Sequence, residues 1–194
     1  GKIEPASVYA TDAGRNDEAV VGLSCPSATF CAAVTAGGRA MTWNGSAWSA
    51  PVVLTPGDSI ALQELLYLPA VTGVSCASPT FCMAVASNGD AYRYDGSAWS
   101  APLPIDLASA HEGTHDGLTA VSCPSTTSCT ATDDLGRVLT YDGTSWSGAR
   151  RIDASLGLNA VSCTGPSFCV ALDDLGEALV DRAGTWSGPA FVDP

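Results

Sequence analysis

The only two histidines of the chain, His111 and His115, flank a glutamate in the segment His111-Glu112-Gly113-Thr114-His115. This matches the H-E-x-x-H signature, in which two histidines on one helix face bind zinc and the glutamate activates the zinc-bound water. That chemistry needs a helix, which Gly113 disfavours, and the sequence offers no third histidine as a ligand. We therefore predict a polar loop and no enzyme, with a zinc hydrolase as a remote alternative.

Eight cysteines are the other residues that could do chemistry. They form four pairs with the same C-x5-C spacing: Cys25/Cys31, Cys76/Cys82, Cys123/Cys129 and Cys163/Cys169. Zinc sites favour shorter spacings and four ligands that converge on one point, whereas these pairs belong to separate repeats. Two residues that face each other across a hairpin have the separation of a disulfide. We predict four local disulfides, no metal site, no cofactor and a secreted, extracellular protein, because disulfides persist in oxidising compartments.

The cysteine pairs belong to a longer repeat whose copies begin with the cysteines at 25, 76, 123 and 163, so the period is 40 to 51 residues. Each copy continues with an apolar run, a turn with glycine, an aromatic residue in the first three copies, and a Trp-Ser pair. Short strands with glycine turns at this period match the four-stranded blade of a β-propeller. The sequence therefore predicts a single all-β domain, β-propeller-like, with four antiparallel blades. The repeats cover about residues 21–55, 73–106, 119–153 and 159–194.

The N-terminal segment, residues 1–20, is predicted to be an extra strand and a linker. Residues 5–12 resemble the closing strand of a repeat. This strand could join the last blade, pack beside it, or remain from a longer array.

Charge and hydropathy exclude two classes of partner. The net charge of −12 repels nucleic acid and anionic lipid. No run of about eighteen apolar residues occurs, so we predict no membrane insertion.

The aromatic position after the glycine turn varies between copies, as Trp43, Tyr94, Tyr141 and Asp181. A position that changes between blades is a candidate for ligand contact, and sugars bind aromatic faces with carboxylates and amides nearby. The alternative is a turn whose aromatic residue folds back. The predicted ligand-binding residues are Trp43, Asn44, Tyr94, Asp95, Tyr141 and Asp142.

Two other repeated features favour structural roles. The tryptophan of the Trp-Ser pair never varies, which predicts packing in the core or between blades; it occurs as Trp48, Trp99, Trp146 and Trp186. The pairs Asp133-Asp134 and Asp173-Asp174 precede Leu-Gly. Calcium would need six or more oxygen ligands, so we interpret both pairs as turns.

The frame of the repeat resembles one common in secreted proteins of actinobacteria. In the first copy the motif consists of Ser24-Cys25-Pro26-Ser27, Phe30-Cys31 and Gly45-Ser46-Ala47-Trp48-Ser49. The resemblance covers nearly the whole chain after about residue 20. Two positions depart from it, because Ser128 replaces the phenylalanine and Asp181 replaces the aromatic residue.

The resemblance implies a lectin-like or adhesive propeller module. We therefore expect a secreted module that binds carbohydrate of a cell surface or cell wall. The alternative is a protein-interaction or sensor ectodomain with a cell-surface protein as its partner. Such repeats occur beside other extracellular domains, including the outer parts of membrane-bound serine/threonine kinases, and would also suit the targeting module of a larger toxin or adhesin.

Overall fold

The computed structural model describes residues 19–55, 70–106 and 117–192. The predicted N-terminal strand, residues 5–12, and the H-E-x-x-H segment, residues 111–115, lie outside the described residues. Within the described ranges the chain forms four antiparallel sheets, which we call blades 1 to 4.

Blades 1 to 3 each contain four strands that pair in chain order. Blade 1 comprises β1 (Val20–Ser27), β2 (Phe30–Thr35), β3 (Arg39–Trp43) and β4 (Val52–Val53). Blade 2 comprises β5 (Val71–Ser78), β6 (Phe81–Ala86), β7 (Asp90–Tyr94) and β8 (Leu103–Pro104). Blade 3 comprises β9 (Leu118–Ser125), β10 (Ser128–Asp133), β11 (Arg137–Tyr141) and β12 (Arg150–Arg151).

The fourth blade follows the same plan with a divided outer strand. It comprises β13 (Leu158–Gly165), β14 (Phe168–Asp173), β15 (Glu177–Arg182), β16 (Thr185–Trp186) and β17 (Ala190–Phe191). Both β16 and β17 pair with β15. The β-propeller-like class with four repeated blades is thus confirmed, and the third strand begins and ends close to where the repeat predicts it.

Each blade contains the predicted local disulfide, and all four pairs are confirmed: Cys25–Cys31, Cys76–Cys82, Cys123–Cys129 and Cys163–Cys169. The two cysteines of blades 2 and 4 lie directly opposite each other in the register of the first two strands. Each bridge closes a loop with a sequence separation of 6 residues, so the loop-length rule gives roughly 2 kcal/mol per bridge. The four bridges indicate an oxidising, extracellular setting.

The second and third strands of each blade are joined by a turn that needs glycine. Gly136 has φ 75°, a left-handed conformation that side chains with a Cβ rarely adopt. A Cβ on Gly136 would lie 2.5 Å from the carbonyl oxygens of Asp153 and Leu156. The segment that leaves the blade therefore packs directly on this turn.

The blades pack face to face through their first strands. Strand β5 packs against both β1 and β9, and β9 packs against both β5 and β13. The core lies between the blades: Val34 and Tyr92 share one cluster, Phe81 and Leu139 another. Strands β1 and β13 stand at the two ends of this row, and each has one such neighbour in the described part of the chain.

In the ranges 19–55, 70–106 and 117–192, no helix is long and apolar enough to cross a membrane.

Candidate functional site

The turn between the third and fourth strands is built around a side-chain cap. In blade 2, Asp95 Oδ1 accepts hydrogen bonds from the backbone N–H of Ser97 (2.8 Å) and Ala98 (2.9 Å) and from the Ser97 hydroxyl (2.7 Å). Asn44 caps the turn of blade 1 and Asp142 that of blade 3 in the same way. These three predicted site residues therefore hold the turn itself, a role that Asp and Asn before glycine commonly take.

The same hydrogen bonds fix the charge of the turns. They lower the pKa of Asp95 to about 2, with the Ala98 N–H as the largest cause and the Ser97 hydroxyl next. They lower the pKa of Asp142 to about 2 as well, chiefly through the Ser145 N–H. Both exposed carboxylates are ionised at neutral pH, whereas Asn44 gives blade 1 a neutral turn of the same shape.

Each turn brings two aromatic rings together. The ring centroids lie 5.8 Å apart for Trp43 and Trp48, 5.3 Å apart for Tyr94 and Trp99, and 5.5 Å apart for Tyr141 and Trp146. The two residues of a pair lie opposite each other and are joined by a single antiparallel β-bridge. Their planes are tilted by 44° to 55°, which is within the geometries that aromatic pairs favour.

The two rings of each pair differ in exposure. The repeat suggests an accessible ring at the variable position and a buried tryptophan, but the ring at the variable position is the more buried of the two. The predicted ligand contacts Tyr94 and Tyr141 are only 8% and 7% exposed, and the Tyr141 hydroxyl donates to the carbonyl of Gly143 (2.7 Å). Trp48, predicted to be a core residue, is 39% exposed. Trp99 and Trp146 are partly buried and pack at the margin of the core clusters.

The buried tyrosines join neighbouring blades. Phe30 of blade 1 stacks on Tyr94 of blade 2 at 5.7 Å, and Phe81 of blade 2 meets Tyr141 of blade 3 at 6.2 Å. The equivalent positions between blades 3 and 4 are Ser128 and Asp181. The two departures from the repeat thus fall in one interface, where both members of the aromatic pair are absent.

The serine of the Trp-Ser pair is structural in every blade. Its hydroxyl accepts the backbone N–H of the third strand at 3.0 Å, from Thr42 to Ser49 in blade 1 and from Arg93 to Ser100 in blade 2. The same hydroxyl donates to the next carbonyl, which in blade 1 is that of Ala50 (2.9 Å). The serine therefore fixes the outer strand and the tryptophan beside it, and the equivalent bonds recur in blades 3 and 4.

The Asp-Asp turns of blades 3 and 4 differ in charge: in blade 3 an arginine lies between two aspartates, and in blade 4 a glutamate takes the place of that arginine. Arg137 bonds the buried carboxylates of Asp133 (2.5 Å) and Asp106 (2.6 Å). Burial raises the pKa of Asp133, although Arg137 acts in the opposite direction. Both aspartates are nearly inaccessible to water, so Arg137 is needed to compensate their buried negative charges.

In blade 4, Glu177 occupies the position of that arginine. Desolvation, followed by the charges of Asp173 and Asp153, raises the pKa of Glu177. Three carboxylates thus meet where blade 3 has two carboxylates and a guanidinium. Across the three described ranges, no group of three or more His, Cys, Asp or Glu residues is arranged to hold a metal ion.

No family model matches the chain, and no curated protein sequence matches it. Two computationally designed proteins have similar structures. The Ika4 protein is 16% identical with a TM-score of 0.55, over 88% of this chain and 94% of that chain. The Ika8 protein is 15% identical with a TM-score of 0.61, over 88% of this chain and 48% of that chain. At these identities, the likeness concerns the fold.

Proposed function

We propose that the protein is a secreted binding module that recognises carbohydrate through the edge of blades 1 to 3 where the capped turns lie. We call this surface the tryptophan rim, defined by Trp48, Trp99 and Trp146 with the turn residues Asn44, Asp95 and Asp142. The observation that carries the proposal is the recurrence, once per blade, of a partly exposed tryptophan beside a rigid polar turn.

The chemistry of the tryptophan rim suits a sugar. A tryptophan face offers an apolar surface to the C–H groups of a pyranose ring, and few well-placed polar groups then fix the orientation. In Asp95 the three hydrogen bonds of the turn end on Oδ1. A carboxylate has two oxygens and about four acceptor positions, so Oδ2 can accept from a sugar hydroxyl without disturbing the turn.

The repetition favours a polymeric glycan over a single sugar. Three similar sites on one rigid scaffold can bind a repeating chain together, and each further contact then becomes intramolecular. Weak individual sites are enough in such an arrangement. Blade 4 is left out of the tryptophan rim, because its turn has Arg182 and Ala183 where the others have Asn or Asp followed by glycine.

The setting agrees with this proposal. Four disulfides suit an extracellular protein, and the net charge of −12 keeps it soluble. A glycan of a cell surface or cell wall is accessible to such a protein.

The test is a glycan-array screen of the oxidised protein with three variants. The triple variant W48A/W99A/W146A should lose saturable binding. The double variant D95N/D142N keeps the turn, because Asn44 forms the same cap in blade 1, and should weaken binding by removing the charge. Leu103→Ala, at an exposed apolar residue of the outer strand β8, should bind like the parent protein.

Tyr94 and Tyr141 are unsuitable for this test, because each packs against a phenylalanine of the neighbouring blade and its loss would disturb the scaffold. Absence of binding to every glycan, or binding unchanged in the triple variant, would contradict the proposal. Binding to a protein partner alone would favour the interaction-module alternative.

A further inference from the structure

We propose that Asp153, Asp173 and Glu177 bind the guanidinium group of an arginine side chain from a partner protein. We call these three residues the carboxylate cluster. Asp153 follows the last strand of blade 3, and the other two residues flank the turn between β14 and β15 of blade 4. The inference is independent of the proposed sugar site, which consists of other residues.

Blade 3 shows how this position of a blade holds a guanidinium. Asp133 Oδ1 accepts the backbone N–H groups of Leu135 (3.0 Å) and Arg137 (2.8 Å) and so fixes the turn. The Arg137 side chain donates to the remaining oxygen, Asp133 Oδ2, at 2.5 Å and to Asp106 Oδ2 at 2.6 Å. One planar group thus bridges two buried carboxylates.

Blade 4 has the same two carboxylates. Asp173 corresponds to Asp133, because each lies opposite the first residue of the first strand of its blade. Its Oδ1 likewise accepts the backbone N–H of the residue four positions on, Glu177, at 2.8 Å. Asp153 corresponds to Asp106, because the backbone N–H of each donates to the carbonyl of the turn glycine in the blade that it leaves.

The two oxygens that bind the arginine in blade 3 have no hydrogen-bond partner in blade 4. Within the part of the chain that the structure describes, Asp153 Oδ2 and Asp173 Oδ2 are buried and unbonded, and their residues are only 3% and 1% exposed. Arg151 donates to the backbone carbonyl of Asp153, at 3.4 Å, and not to its carboxylate. Because a buried carboxylate oxygen without a donor is costly, these atoms favour a cationic ligand with several N–H groups.

Blade 2 does not collect charge at these positions. Neutral residues, Ala86 and Thr55, stand where blade 4 has its two aspartates. The remaining carboxylate of blade 2, Asp90, accepts Asn88 Nδ2 at 2.7 Å. Of blades 2 to 4, only blade 4 therefore combines three carboxylates at these positions, with a glutamate where blade 3 has its arginine.

A guanidinium suits this arrangement better than a metal ion. A metal needs ligands that converge on one point, and no three His, Cys, Asp or Glu residues of the described ranges are so placed. A guanidinium spreads five N–H donors over a plane, so it can bridge carboxylates that face it from different sides. The ammonium group of lysine is a compact point charge and cannot bridge them in this way.

The turn beside the carboxylate cluster is open. In blade 3 the segment after β12 packs on the turn glycine, where an added Cβ would lie 2.5 Å from two carbonyl oxygens. The turn glycine of blade 4, Gly176, is exposed, and an added Cβ there meets nothing within 4 Å. Glu177 is half-buried and is repelled by the charges of both aspartates. Its side chain can therefore turn outward and cover an arginine that enters from solvent.

The charge of the whole chain favours a basic protein as the source of this arginine. The net charge of −12 attracts cationic partners and speeds their association. Arginine is also enriched among the residues that dominate protein interfaces, where it fills desolvated pockets. The carboxylate cluster is such a pocket on an acidic protein.

The test is the binding of N-acetyl-arginine amide to the oxidised full chain, measured by calorimetry and by NMR of the side-chain carboxyl carbons. The parent protein should bind it saturably, with the largest shifts at Asp153, Asp173 and Glu177. D173N keeps the Oδ1 acceptor of the turn and should weaken binding roughly ten- to a hundredfold, as expected for one lost hydrogen bond to a charged group.

Two further variants separate binding from folding and from general charge. E177R supplies a guanidinium from within the chain, as in blade 3, and should abolish binding while remaining at least as stable as the parent. Asp174→Asn makes the same change of charge as D173N at the exposed neighbouring residue and should bind like the parent.

Two other probes test the class of ligand. N-acetyl-lysine amide should bind more weakly than the arginine derivative, and calcium chloride should give no saturable shift at these carboxyl groups. The proposal would be overturned by a parent protein that does not bind the arginine derivative, by undiminished binding in E177R, or by equal binding of the lysine derivative. Tighter binding of calcium at the same carboxyl groups would make this a metal site and would also overturn it.

Discussion

The hydroxyl of Ser24 accepts the backbone N–H of Cys76 at 2.9 Å, and this contact joins blade 1 to blade 2. The donor belongs to a cysteine whose disulfide fixes the start of its own blade. Because the same bond recurs at Ser75 and Ser122, the serine before the first cysteine is the residue that sets each blade on the next. The Ser-Cys pair of the repeat is therefore a link between blades as well as within them.

Ser75→Ala should lower the free energy of unfolding by about 1–3 kcal/mol, because it leaves the buried N–H of Cys123 without its acceptor. Thermal and denaturant unfolding under oxidising conditions measure the effect. Ser145→Ala is the matched control, at an exposed turn position of blade 3 where blades 1 and 2 have alanine, and should change stability little. Equal stability of the two variants would show that the bond does not hold the blades together.

Exchanging the charges of the two ionic clusters should have opposite effects. Arg137→Glu leaves Asp133 and Asp106 buried without their cation, which should cost about 3–5 kcal/mol. Glu177→Arg places a guanidinium between Asp173 and Asp153, as in blade 3, and should raise the melting temperature at neutral pH. Unfolding curves of the two variants and the parent check both signs. A stabilised Arg137→Glu variant would contradict the role assigned to this cluster.

The pH dependence of stability should have two opposing parts. The raised pKa of Glu177 means that the folded state binds this proton more tightly than the unfolded state. Its contribution to stability is therefore lost as pH rises through the folded pKa and fully present below the ordinary value of 4.5. Asp95 and Asp142 act oppositely: their stabilisation is lost as pH falls from 3.8 through about 2.

Glu177→Gln should remove the contribution of this carboxyl group. The difference in stability between the variant and the parent should therefore change with pH only above the ordinary value of 4.5. D95N/D142N should reduce the loss of stability as pH falls from 3.8 to about 2, and should leave the pH dependence above 4.5 unchanged. Urea unfolding across the acid range measures both. Parallel curves for the parent and Glu177→Gln would refute the assignment.

Much of this fold follows from the repeat. The constant C-x5-C spacing predicts a hairpin with a disulfide, and the structure places Cys76 and Cys163 directly opposite their partners. Glycine before the third strand predicts its starting point, because Gly136 occupies a conformation that other residues avoid. These features depend on local geometry, which neighbouring residues determine.

The direction in which the aromatic residues face was not predictable in this way. Invariance suggests that Trp48 is buried and variation suggests that Tyr94 is accessible, but the structure reverses this order. The physical reason is the contact of Tyr94 with Phe30 on another blade, which no local pattern contains. The phenylalanine and the aromatic residue recur at fixed positions in most copies, and only the packing of blades shows that they pair across an interface.

Gly136→Ala and Gly176→Ala should separate backbone strain from steric conflict. Both glycines have φ near 75° to 78°, so each substitution carries the left-handed cost of about 1–2 kcal/mol. The added Cβ at 136 would also lie 2.5 Å from two carbonyl oxygens, whereas at 176 it meets nothing within 4 Å. Carbonyl groups of the packed backbone cannot turn away as a flexible side chain can, so Gly136→Ala should be the more destabilising variant. Denaturant unfolding of the pair measures the difference, and equal losses would mean that the segment after blade 3 yields to the methyl group.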